Sequence, residues 1–267
     1  MLKKIVVSFL VALFCAGGLS ADEGTSENQA ASMLKKASAL RRTSFKKPKE
    51  EKERIQLEAA ACYEEIIVGC PGCASECAEA SFRAGEIYRT LRLTEQAEKS
   101  FLRTLKFSRK GEFAARSINE VGHICRRKKD YVAAIACYRR TLAECAGVRD
   151  ECGEAETWIG KVYLKMGDVD KGRQTLLAFA ERFPEFPLAA IRNMDLAAQS
   201  FIREGRFVEA AGVVDRCRSL FEGAPGRSVS LEKKIEKALR SMKSAEASDQ
   251  GREMEKKEKQ EPKTKAA

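Results

Sequence analysis

The sequence predicts an all-α fold, a solenoid of antiparallel helix pairs. Three observations predict it: a composition rich in helix formers, a four-residue pattern that recurs every 37 or 38 residues, and a longer symmetry of 75 residues. Of the 267 residues 44% are apolar and only 7% aromatic, with six prolines, so a core can form and helix is favoured over sheet. The formal charge of +10 and pI near 9.1 admit an anionic partner without choosing among nucleic acid, acidic lipid and acidic peptide.

The short pattern has a small residue, a larger one three later, a small one twelve later and a large one sixteen later. It reads Gly85, Tyr88, Ala97, Phe101; then Gly122, Cys125, Ala134, Tyr138; then Gly160, Tyr163, Gly172, Leu176, closed by Pro184; then Ala198, Phe201, Ala210, Val214. Short polar turns at Leu91–Thr94, Lys128–Asp130, Gly167–Asp168 and Glu204–Arg206 split each unit into two helical stretches. The 75-residue symmetry matches Ala61-Cys62-Tyr63 to Ala136-Cys137-Tyr138, Cys70 to Cys145, Cys77 to Cys152 and Glu79-Ala80 to Glu154-Ala155. A lone hairpin leaves one apolar face bare, so such units must stack.

These residues resemble the tetratricopeptide-repeat family over roughly residues 50 to 222. The resemblance implies a right-handed α-solenoid, the TPR superhelix. In it a small residue on the first helix lets the second pack closely, and large residues fill the core. The units lie near 51–77, 78–113, 114–152, 153–186 and 187–222, within a solenoid at 51–225. The lengthened units, with turns such as Phe183-Pro184-Glu185-Phe186-Pro187, look like those of exported bacterial cell-envelope members.

In chain order, residues 1–21 read as a secretory signal: Lys3 and Lys4, an apolar run from Ile5 to Phe14, then small residues to Ala21. The chain is therefore expected to be exported, to the periplasm or cell envelope. Residues 22–50 read as a basic arm, part helical; Lys35–Arg54 holds nine basic and three acidic residues. That arm offers a weak contact to an anionic membrane surface. It lacks the aromatics that nucleic-acid readers interleave, and no nucleic-acid partner is expected. A partial repeat opens the solenoid, with Asn28 to Phe45 as the candidate partner for the helix Lys52–Val68. Residues 226–243, with Leu231, Ile235 and Leu239 at helical spacing, read as a capping helix, and 244–267 as a disordered charged tail.

Nine of the ten cysteines follow the signal, and an exported chain is expected to pair some of them. Cys145 with Cys152 is one candidate disulfide, across an inter-repeat turn; Cys77 with either Cys70 or Cys73 is another. Cys125 and Cys217 read as buried hydrophobes, and Cys62 and Cys137 lie about 12 Å along a helix from the next cysteine. Cys70-Pro71-Gly72-Cys73 has the spacing of redox motifs, but a helix ends into it rather than starting at it. Four cysteines from Cys62 to Cys77 also permit a zinc reading. A c-type haem is excluded by Ala74.

No catalytic constellation emerges. His123 is the only histidine. Gly153 to Gly160 lacks the strand and the lysine–hydroxyl pair of a phosphate loop. The chain is read as a non-enzyme with no cofactor and no metal, a scaffold for a protein or peptide partner. The resemblance implies that first helices line the binding groove. The positions it gives are Glu79, Phe82, Glu86 and Arg89; Arg116, Asn119, His123, Arg126 and Arg127; Glu154, Thr157, Lys161 and Lys165; Arg192, Asp195, Gln199 and Arg203. Arg89, Asn119, His123, Arg126, Arg127, Lys161, Lys165, Arg192 and Arg203 are the donors expected to clamp carboxylates of an acidic partner.

Overall fold

The computed structural model describes residues 23–221 and, beyond them, Lys233, Glu236, Lys237 and Arg240. The signal expected at residues 1–21 and the tail expected at 244–267 lie outside the described residues. The capping helix expected at 226–243 is described at those four positions alone, each helical and exposed.

Among the described residues every regular element is helical. The order is α1 (Glu23–Thr43), a 3-10 turn (Ser44–Lys46), α2 (Lys49–Gly69), α3 (Ala74–Thr90), α4 (Thr94–Phe107), α5 (Glu112–Arg127), α6 (Tyr131–Glu144), α7 (Arg149–Met166), α8 (Val169–Arg182), α9 (Pro187–Arg203) and α10 (Phe207–Leu220). The chain divides within α7 into two compact units, Met1–Ala155 and Glu156–Ala267. In the first unit α1 packs on α2, α3 on α4 and α5 on α6; in the second α9 packs on both α8 and α10.

Local chemistry explains the helix ends. Acidic side chains open several helices, as Glu50 and Glu51 do in α2, and Arg126 and Arg127 close α5, each sign matching the helix dipole. Pro187 starts α9, where its missing N–H costs nothing. The turn inside each of the last four hairpins has one geometry. The N–H of Leu93, Asp130, Asp168 and Arg206 donates to the carbonyl of Tyr88, Cys125, Tyr163 and Phe201, at 2.8, 3.0, 3.1 and 3.0 Å. This bond needs a left-handed residue just before the donor. Gly167 and Gly205 supply it with φ of 87° and 75°, whereas Arg92 and Lys129 adopt φ of 60° and 66° with side chains in place.

Packing follows the repeat pattern. A Cβ on Gly85 would stand 2.7 Å from the Phe101 ring, on Gly122 2.7 Å from the Tyr138 ring, and on Gly160 2.7 Å from Leu176. These are the tight crossings of α3 with α4, α5 with α6 and α7 with α8. Tyr63, Phe82, Phe101 and Tyr138 are fully buried in the first unit; Leu176, Phe179, Phe183 and Ile191 are buried in the second.

The amino-terminal expectation is corrected. Residues 22–50 are not a basic arm: α1 pairs with α2 as the candidate partner helix Asn28–Phe45 was expected to, and it is longer, starting at Glu23. Ala30, Ala37 and Ser44 are fully buried, and Ser38 Oγ meets the Tyr63 hydroxyl at 2.9 Å. Ala30 and Ala37, seven apart, lay a narrow stripe along one face of α1, with Ser44 in the turn that follows, too weakly apolar to stand out among the lysines.

Candidate functional site

The last turn of α3, the α3–α4 turn, the start of α4 and the last residue of α5 enclose a cavity of about 400 Å³. Arg89, Arg92, Thr94, Ala97 and Arg127 line it. Arg89 is held by Glu120 on α5, Nε to Oε1 at 3.3 Å. Arg92 and Arg127 are exposed, with no acidic partner among the described residues. The left-handed turn is what carries Arg92 over the cavity. Sequence reasoning supplied Arg89 and Arg127 and missed Arg92, because the family pattern treats that turn as a connection.

The other expected donors of the first unit serve the fold. Asn119 is 2% exposed. Its Nδ2 donates to the Glu151 carbonyl at 3.0 Å and to Glu151 Oε2 at 2.9 Å, and its Oδ1 accepts from Thr141 at 2.8 Å. A buried amide must satisfy itself this way, so Asn119 is removed from the ligand-binding set. His123 Nδ1 lies 2.6 Å from the Tyr138 hydroxyl, and its Nε2 lies 3.4 Å from Glu154. Arg126 also bonds that hydroxyl; burial pushes the Tyr138 phenol up, and the Arg126 charge only partly offsets it. Phe82 is a core residue at 1% exposure, not a groove residue.

Glu86 is corrected too. Its carboxylate is buried among Arg41 from α1 at 2.9 Å, Arg83 at 3.2 Å and Arg116 from α5 at 3.3 Å. Burial alone would raise its pKa, but the hydrogen bonds and charges of Arg41 and Arg83 outweigh this and hold it below the usual value. Arg116 continues to Glu151 at 3.7 Å, so successive first helices of this unit are joined by charge. Arg41 was not foreseen, since its partner is 45 residues away.

In the second unit Lys161 Nζ stands 4.6 Å over the Trp158 ring. Lys165, Arg192 and Arg203 are exposed on α7 and α9. A separate cleft of about 770 Å³ in the first unit is lined by Leu102, Leu105, Lys106, Arg109, Lys110 and Arg140, the last bonded to Glu144 at 2.9 Å.

None of the nine described cysteines is bridged in this structure. Cys77 Sγ donates to the Cys70 carbonyl at 3.2 Å and Cys152 Sγ to the Cys145 carbonyl at 3.4 Å. Cys73 Sγ meets Ser26 Oγ at 3.4 Å. Burial raises Cys152 and pushes Cys77 up to about 11, so these two thiols are poor nucleophiles at neutral pH. Among the described residues no three His, Cys, Asp or Glu side chains stand where they could hold a metal ion. No described helix is long and apolar enough to cross a membrane.

A family profile for the tetratricopeptide repeat matches residues 154–185, which hold most of α7 and all of α8. That segment is similar to the tetratricopeptide repeat. Solved structures share the fold. The MamA protein superposes with a TM-score of 0.52 at 18% identity, over 74% of this chain and 93% of that one. BtubC (BKLC) from P. vanneervenii gives 0.52 at 15%, over 75% and 91%. The TPR-like repeats of a kinesin light chain from Podosopora anserina give 0.52 at 11%, over 73% and 95%. Among curated proteins no sequence match was found. The arginine-lined cavity lies where the α3–α4 hairpin meets the end of α5.

Proposed function

We propose that this protein is a non-catalytic scaffold that holds an acidic segment of a protein partner at Arg89, Arg92 and Arg127. The observation that carries the reading is Arg92. Its turn accepts glycine, as the α7–α8 and α9–α10 turns do with Gly167 and Gly205. A side chain held left-handed costs on the order of 1 kcal/mol. Strain of that kind is kept where the side chain is useful, and here Arg92 lines the cavity together with Arg89 and Arg127. Guanidinium forks suit carboxylates, and a partly enclosed site strengthens the pairing. Adhesion to anionic lipid through residues 22–50 loses support, because α1 is packed and Arg41 is committed to Glu86.

The reading includes export, with the signal cleaved after Ala21 and disulfides at Cys145–Cys152 and from Cys77 to Cys70 or Cys73. What supports the pairings is that one short turn brings the second cysteine, Cys77 or Cys152, to the backbone of the first, Cys70 or Cys145.

The experiment measures binding of a fluorescent peptide with six acidic residues and a free carboxyl terminus, using protein recovered from the exported fraction. Arg92→Gly is expected to stabilise the fold by about 1 kcal/mol while weakening binding roughly tenfold. Arg127→Glu should weaken binding at least as much. An Arg92→Gly chain that gains stability and binds unchanged sinks the site. Loss on Lys106→Glu and Lys110→Glu instead moves it to the cleft lined by Leu102 and Leu105. Amino-terminal sequencing should begin at Asp22, and mass mapping should find the two bonds; an uncleaved start with free thiols sinks export and pairing.

A further inference from the structure

We propose that Cys125 and Cys137 form a thiol pair that a low-molecular-weight disulfide converts into a cross-link between α5 and α6. The sequence reading placed Cys125 in the core and Cys137 beyond reach of its neighbours along the chain. The hairpin brings them together across the helix pair instead.

Residues three and four apart share a helix face. Cys125 is one turn past Gly122, where a Cβ would touch the Tyr138 ring at 2.7 Å. Cys137 is one turn past Ala134, itself fully buried. The Gly122–Tyr138 crossing removes the side chain that would hold the helices apart, and the two sulfurs meet in hydrogen-bond contact. Both residues are half-buried and pack against the same apolar cluster, so a small reagent can reach them. The Asp130 N–H bonds the Cys125 carbonyl at 3.0 Å and fixes the end of α5. A disulfide requires short Cβ–Cβ approach, which close helix crossing supplies.

The chemistry balances as two exchanges. One protein thiolate attacks the small disulfide RSSR, forming a mixed disulfide and releasing RS⁻. The second protein thiolate attacks the protein sulfur of that bond, forming Cys125–Cys137 and releasing the other RS⁻. Each released thiolate takes up one of the two protons lost by the cysteines. The protein pair is oxidised by two electrons and RSSR is reduced to two RSH. Burial raises both thiols, Cys137 to about 11. Glu98 on α4 and Asp130 in the turn add to this at Cys125, while Lys128 opposes it; Arg140 opposes it at Cys137. Exchange is therefore slow at pH 7 and faster at pH 8 to 9, where more thiolate exists. The bond would close a ring of 13 residues and fix the last turn of α5, beside Arg127 of the candidate site.

The test equilibrates the folded full-length chain with oxidised glutathione at pH 8, alkylates remaining thiols and digests with trypsin. Cleavage gives Ser117–Arg126 and Asp130–Arg139, each with a single cysteine. The expected product is these two peptides joined, about 2 Da below their summed mass. The oxidised chain should melt several degrees higher than the reduced one, with that increment lost in Cys125→Ser and in Cys137→Ser. Each single variant should instead retain one glutathione adduct on its remaining cysteine. Recovery of the two wild-type peptides unlinked, whether alkylated or carrying glutathione, overturns the proposal.

Discussion

Helices α3 and α7 stand 75 residues apart in one frame and differ in what they carry. Both are entered through the same turn. The N–H of Cys73 donates to the Cys70 carbonyl at 3.0 Å and that of Cys77 to Cys73 at 2.9 Å; Val148 and Cys152 repeat these bonds to Cys145 and Val148 at 2.8 and 3.0 Å. Both helices then reach a glycine pressed on the next helix, Gly85 on Phe101 and Gly160 on Leu176. One residue later they part. Glu86 is buried among three arginines, while Lys161 lies half-buried over Trp158. The frame positions fix backbone and core, and the positions between them are free to hold different chemistry.

A third copy of the turn breaks the comparison hardest. Phe183 takes the place of Cys70 and Cys145, with the Phe186 N–H on its carbonyl at 3.1 Å and the Ala190 N–H on Phe186 at 3.0 Å. Phe183 is 2% exposed and stacks on Phe179 with ring centroids 5.0 Å apart. Phe183→Ala should cost about 3–4 kcal/mol in denaturant unfolding, and Cys145→Ala only about 1 kcal/mol. Equal costs would mean that the backbone turn, not the side chain it buries, decides stability.

Glu86→Gln gives the next largest effect, about 2 kcal/mol at pH 7, because three arginines lose a buried carboxylate. Glu86 has its folded pKa depressed below the ordinary 4.5. Its contribution is therefore complete above that value and lost as pH falls through the depressed one. The gap between wild type and Glu86→Gln should close as melts are taken below pH 4.5. A gap constant down to low pH would show the loss to be packing rather than charge.

Lys161→Gln, at the matching position of α7, should cost about 0.5 kcal/mol, the scale of a part-exposed cation over a ring. A loss as large as that of Glu86→Gln would erase the distinction between the two helices.

The repeat pattern made the hairpins legible because glycine and its large partner obey spacing alone. Gly85 with Phe101 and Gly122 with Tyr138 sit in the sequence at the separation that a helix, a turn and a helix require. The candidate site was legible in part. Arg89 and Arg127 follow from the first-helix face, but Arg92 needed the left-handed turn to be seen. Asn119 and Glu86 had the residue types of a binding face, and only burial shows that they bind their own chain.

The sequence by itself determined the all-helical class, the pairing of helices and the small-on-large crossings, since these depend on contacts within one hairpin. Tertiary structure alone decided the rest. It buried the alanines Ala30 and Ala37 of α1, gathered Arg41, Arg83 and Arg116 on Glu86, and brought Cys125 to Cys137 across a hairpin. The physical reason is range. Side-chain chemistry acts over a few ångströms in space, and residues 12 or 45 apart in sequence come within that distance only when helices cross.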